Sequence, residues 1–91
     1  MWIINSSRNE AINAAKIKSL QVNPMDASGN SYMIEPDEIV AYGVFNGIYL
    51  IAGPYTSQQK ANEVMIDIVC SVYREEPFYC PEGDYKVKED A

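Results

Sequence analysis

Glu63 and Asp67 stand four residues apart in the most helical stretch of the chain, so one turn of helix would set both carboxylates on one face. Paired carboxylates can serve as general acid and general base when an apolar pocket raises the pKa of one of them. Nothing in the sequence signals such a pocket here, and the two read as solvated helix surface. Glu35, Asp37 and Glu38 gather around Pro36. Ca²⁺ or Mg²⁺ would require further oxygen ligands at EF-hand-like spacing, and these are lacking. Gly43, Gly47 and Gly53 do not have the spacing of a phosphate-cradling loop, and no helix opens after the first two. The chain contains no histidine, so the commonest general base and the commonest metal ligand are both missing. With no GxSxG, Walker or HExxH pattern either, the reading is a protein that is not an enzyme and uses no metal or cofactor.

Aromatic side chains and two arginines are the remaining candidates for binding. The chain has 7 tyrosines and a single tryptophan, more amphipathic rings than a small core usually hides. Core or rim packing explains any one of them. Taken together they suit an interface or the faces of a planar ligand. Arg8 and Arg74 are the only arginines, so an anionic ligand would depend on them. Trp2, Tyr42, Tyr73, Arg8 and Arg74 are therefore the candidate ligand-binding residues. Arg74 has a plainer role available, at the helix C-terminus or paired with Glu75 or Glu76.

The elements that must position these groups are clearest between residues 45 and 73. Phe45-Asn46-Gly47-Ile48 sets an Asn-Gly pair between two alternating apolar runs, 39–45 and 48–52, which predicts a type I′ hairpin. Both faces of the first arm are apolar, so the hairpin should be central in its sheet or covered on both sides. Gly53-Pro54 should end the second arm. Thr56 and Gln59 have capping-box spacing. Behind them Ala61, Val64, Met65, Ile68, Val69 and Val72 recur on one face of a helix running from about Ser57 to Tyr73, stopped by Glu75-Glu76-Pro77. Ile66, Cys70 and Tyr73 form a second apolar flank. A small domain has few places to bury such a flank, which predicts a homo-oligomer.

The rest of the chain is less sharply patterned. Residues 1–5 read as a short strand and 6–10 as a polar turn. Residues 11–22 read as a strand with a bulge near Lys18-Ser19, the alternative being a short helical turn at Ala11, Ala14 and Ala15. Residues 23–30 look like a loop or a wide hairpin tip, 31–35 like a strand, and 78–80 like a short edge strand. The expected architecture is one α+β domain over 1–91, with an antiparallel sheet of four to five strands and one amphipathic helix packed on it.

Composition limits the partners. Thirteen acidic residues oppose seven basic ones, a net charge of −6, with Glu75, Glu76, Glu82, Asp84, Glu89 and Asp90 crowded near the C-terminal end. This excludes nucleic-acid backbone binding, which needs a dense basic surface. There is no run long enough for a membrane span and no basic region leading into an apolar one, so a cytoplasmic location is expected. Cys70 and Cys80, without CxxC spacing, read as reduced and packed, with a disulfide between tail and helix as the alternative.

Several short motifs resemble a group of small uncharacterised proteins of Gram-positive bacteria and their phages. That group opens Trp-Ile-Arg-Ser-Gln, continues with Leu-Ile-Asn, and carries a hairpin ending Leu-Gly-x-Tyr. A helix of the type Glu-Arg-Ala-x-Glu-Val-Leu follows, and the chains close on Tyr-x-Met-Pro. Here the matching residues are Trp2-Ile3, Ala11-Ile12-Asn13, Ala52-Gly53-Pro54-Tyr55, Lys60-Ala61-Asn62-Glu63-Val64-Met65 and Tyr79-Cys80-Pro81. Ile4 replaces the group's arginine and Asn5-Ser6 its Ser-Gln, and residues 23–37 are longer than usual. The resemblance implies a small α+β protein without an assigned activity, often phage-borne. By analogy, such a protein counters host defence by sequestering a nucleotide-like signal or by blocking a protein. The two functional readings are thus an oligomer that captures a nucleotide-like ligand between subunits in the (host) cytoplasm, and a protein-binding module acting through the apolar helix flank or the acidic tail.

Overall fold

The computed structural model describes residues 1–5, 10–31 and 33–81. Its strands are β1 (Trp2–Ile4), β2 (Ala11–Asn13), β3 (Gln21–Met25), β4 (Ala41–Asn46), β5 (Tyr49–Tyr55) and β6 (Phe78–Tyr79), with one long helix, α1 (Gln58–Tyr73). The α+β class is as expected, but the single sheet of four to five strands is not what forms. The strands divide into two three-stranded sheets, β2-β1-β6 and β3-β4-β5. The second is antiparallel throughout, whereas β1 runs antiparallel to β2 and parallel to β6. The division arises because the chain leaves β2 through a 3₁₀ turn at Ala14–Lys16 and crosses unpaired to Gln21. Ile17 and Leu20 both turn toward the core there, which a continuous pleat could not do for residues three apart. The strand and the helical turn anticipated for 11–22 thus occur in succession.

Of the hairpin's two arms only β4 is central in its sheet; β5 lies at the edge. Val44, Ile51, Ala52 and Tyr55 join Ile3 of β1 and Ala61, Val64 and Ile68 of α1 in one buried cluster, so the helix serves both sheets. On the far face Met25, Phe45 and Leu50 close over Gly43, where a Cβ would run into all three side chains. Register slips by one residue on β5 at each of two steps, between the pairs Tyr42↔Tyr55, Val44↔Ala52 and Phe45↔Leu50. These bulges turn Ile51, Ala52 and Gly53 inward in succession.

Several local expectations shift. Asn46 pairs with Tyr49, leaving Gly47 (φ 66°) and Ile48 at the tip. Glycine thus holds the first central position, as in a type II′ turn, and Asn46 stays in the strand. β5 continues through Pro54 to Tyr55. β3 likewise extends through Pro24 to Met25, tolerable because it is an edge strand. Asp26 closes the following turn, its Oδ1 accepting from the amides of Ser28 and Asn30 at 2.8 and 2.9 Å. Among the described residues of 31–35 no strand forms: Met33 lies at φ 57° and a 3₁₀ turn follows at Pro36–Glu38. β4, the strand it would need, already has β3 and β5 on its two edges.

α1 begins one residue later than the capping-box spacing suggests. Ser57, not Thr56, is the N-cap, and its Oγ accepts from the Lys60 amide at 3.1 Å. At the other end the Glu75 amide donates to the Val72 carbonyl (3.0 Å) and the Glu76 amide to the Ser71 carbonyl (3.2 Å). This is a Schellman closure with Glu75, at φ 59°, in the left-handed position usually held by glycine. Pro77 then carries the chain into β6, where the Pro77 carbonyl accepts from the Trp2 amide at 3.1 Å. Among the described residues no helix is long and apolar enough to cross a membrane.

Candidate functional site

The apolar arc of α1 is wider than the core it covers. Ala61, Val64 and Ile68 are buried, and Met65 packs half-buried beside them. Val69 and Val72, on the same side of the helix, remain 55% and 44% exposed. The arc then continues onto Ile66 (55% exposed) and Tyr73 (87% exposed). Facing this flank is the stretch between β2 and β3. Asn13 starts it, its Oδ1 accepting from the Ala15 amide at 3.0 Å, and the Ile17 amide closes the 3₁₀ turn on the Ala14 carbonyl at 3.1 Å.

Between the two lies an open trough of about 550 Å³. Ile17 and Leu20 form one wall, Met65, Val69, Val72 and Tyr73 the other, and Ile3 and Ile68 contribute to the base. Among the described residues its polar side chains besides the Tyr73 hydroxyl are Lys18 and Ser19. A smaller recess of about 320 Å³ continues past Ala14 and Val72, which line both, and is bordered by Met1, Glu75, Glu76 and Pro77.

Of the residues chosen from the sequence as ligand contacts, Tyr73 is the one among the described residues that lines the trough. Trp2, 51% exposed, alternates with the buried Ile3 and so sits on the opposite face of its sheet, in register with Phe78 on β6. Tyr42 is half-buried near the start of β4 and packs on the core. Arg74 caps α1, and its Nε donates to Glu76 Oε2 at 3.0 Å. That hydrogen bond raises the Arg74 pKa above its usual value and, with a further hydrogen bond from Ser71, holds the Glu76 carboxyl below its usual one. Arg8 lies outside the described residues, as does most of the acidic tail. Ile66, Cys70 and Tyr73 do share an outward flank, Cys70 being half-buried; Cys70 and Cys80 are both free thiols.

The carboxylates do not converge. Glu63 accepts from the Gln59 amide nitrogen at 3.4 Å, and Asp67 from the Tyr79 hydroxyl at 3.5 Å. Glu35, Asp37 and Glu38 are exposed. Among the described residues there is no cluster of three or more potential metal ligands.

The chain matches no protein-family model, no curated protein and no solved structure.

Two trough features escaped the sequence reading. Val69 and Val72 belong to the helical stripe, and periodicity cannot tell which part of a stripe the domain covers. The sequence pattern sets Ile17, Lys18, Ser19 and Leu20 in a bulged strand. The loss of phase between Ile17 and Leu20 is the signal that marks them as something else.

Proposed function

We propose that the protein is a non-catalytic binding module whose working surface is the trough between residues 14–20 and α1, and that this surface recognises protein. The observation that carries the reading is the continuity of half-exposed Val69 and Val72 with exposed Ile66 and Tyr73 along one helix flank. Soluble monomers rarely leave such a contiguous apolar surface open beside a groove. The polypeptide reading is favoured over capture of a nucleotide-like signal because a phosphate needs fixed cations. Arg74 is engaged by Glu76, and among the described residues the trough offers a single ammonium, Lys18. In the setting implied by the resemblance to phage-borne proteins, the corresponding action is to occupy a protein surface.

A photoreactive benzoylphenylalanine incorporated at position 69 tests this, with position 48 at the hairpin tip as the control site. The expected result is a covalent protein adduct from position 69 alone, abolished by adding Val72→Glu, and no calorimetric heat with a panel of cyclic and linear nucleotides. Nucleotide heat that disappears with Lys18→Ala, without site-dependent adducts, would replace this reading with ligand capture.

A further inference from the structure

Asn46 is the one asparagine of this chain that precedes a glycine. The carbonyl carbon of such a side chain is open to attack by the next backbone nitrogen, because glycine has no Cβ to crowd the five-membered ring that forms. The fold leaves both reacting groups unengaged. Gly47 is exposed at the hairpin tip, and a Cβ built there would meet nothing within 4 Å. Among the described residues no hydrogen bond holds the Gly47 amide or the half-buried Asn46 side chain. Other asparagines are placed less favourably. Asn13 Oδ1 accepts from the Ala15 amide, and the Ala14 amide donates to the Met1 carbonyl at 2.9 Å. Asn23 precedes Pro24, which has no amide proton. The Glu63 amide that follows Asn62 lies inside α1. The strand works against the same reaction at Asn46, however. Ring closure needs the Gly47 nitrogen to swing toward the Asn46 side chain, and the extended backbone of β4, paired at Asn46 with Tyr49, carries it away.

We propose that Asn46 is a site of spontaneous deamidation, gated by opening of the Asn46–Tyr49 pair at the hairpin tip. When the tip frays, the Gly47 nitrogen gives up its proton and bonds to Asn46 Cγ. The bond from Cγ to Nδ2 breaks, ammonia leaves, and a cyclic imide remains. Water then opens the ring at either of its two carbonyl carbons. One opening leaves aspartate at position 46. The other leaves isoaspartate, in which the main chain runs through the former side chain and is one atom longer. Nothing is oxidised or reduced, and water is the sole co-reactant. Either product adds a negative charge to a chain already at −6. Isoaspartate also lengthens a turn that has only Gly47 and Ile48 at its tip, so the pairing of residue 46 with Tyr49 is lost. The next pair inward is Phe45↔Leu50, beside a step where the register already shifts, and the damage therefore starts at the weakest part of the hairpin.

Purified protein held at mildly alkaline pH, folded in one sample and unfolded in urea in another, tests this by peptide mapping with mass spectrometry. Aspartate and isoaspartate peptides are separated by chromatography. In the folded protein Asn46 is expected to convert ahead of every other asparagine. Its conversion should be about tenfold slower than in urea, the factor set by a locally opened tip that is the minor state. The charge-shifted protein isolated by anion exchange contains both products. It should melt below Asn46→Asp, which has the same charge on an unaltered main chain. Earlier conversion of another asparagine, or none at position 46 in the folded protein, would overturn the site. Equal rates in the two samples would overturn gating by the hairpin, and melting equal to that of Asn46→Asp would overturn the effect of the longer main chain.

Discussion

Glu75 occupies a left-handed backbone position at φ 59°, where a side chain costs more than glycine does. Glu75→Gly is therefore expected to stabilise the fold by about 0.5–1 kcal/mol, a gain of a few degrees in thermal melting. Gly53 presents the opposite case. Its φ is +130°, and a Cβ there would meet the Gly43 Cα and the Tyr42 carbonyl oxygen, both backbone atoms, at 3.1 Å. At Gly43 the nearest obstacles are the ends of Leu50 and Met25, which can move. Gly53→Ala should thus cost about 2–3 kcal/mol and clearly more than Gly43→Ala; equal losses in denaturant unfolding would show that backbone crowding is not the cause. The Arg74–Glu76 pair gives a pH signature. Glu76 has its carboxyl pKa lowered in the folded state by the Arg74 hydrogen bond. Its contribution is present at neutral pH and lost as pH falls through that lowered pKa. Glu76→Gln should flatten the acid side of the stability profile while leaving the neutral-to-alkaline side parallel to wild type.

At the scale of elements, α1 and the hairpin were legible because each is specified by neighbours in sequence: a 3.6-residue stripe, a hydroxyl cap, a glycine between alternating arms. The cap and the tip are each one residue off, Ser57 for Thr56 and Gly47-Ile48 for Asn46-Gly47, while the outer ends of the arms shift further, β4 starting at Ala41 and β5 running past Gly53-Pro54 to Tyr55. Ser57→Ala should cost about 1 kcal/mol of stability through the lost hydrogen bond to the Lys60 amide. Residues 11–22 were harder, since a three-residue strand, a 3₁₀ turn and an unpaired crossing each fall below the length at which a period can be read. The two halves of the helix stripe respond differently to charge. Val64→Asp or Ile68→Asp places an unpaired carboxylate in the shared core and is expected to unfold the domain. Val69→Glu should lower the melting temperature by far less than either. Equal effects on melting would mean that the trough is part of the core.

For the molecule as a whole, the parallel pairing of β1 with β6 joins residues more than seventy positions apart. No local pattern announces such a pairing, and for that reason the division into two sheets was not legible. The trough depends on that division. It exists because the crossing from β2 to β3 is unpaired and lies over the part of α1 that neither sheet covers. The outward flank of Ile66, Cys70 and Tyr73, in contrast, could be read from spacing alone, and it joins the trough into one apolar surface. The homo-oligomer expected from that flank would close over this surface. Sedimentation velocity of the wild type beside Ile66→Glu and Val69→Glu, with circular dichroism recorded on the same samples, measures that most directly. The expected result is a dimeric wild type and monomeric variants with unchanged helical spectra; a wild type that remains monomeric at tens of micromolar, or variants that associate as the wild type does, would contradict it.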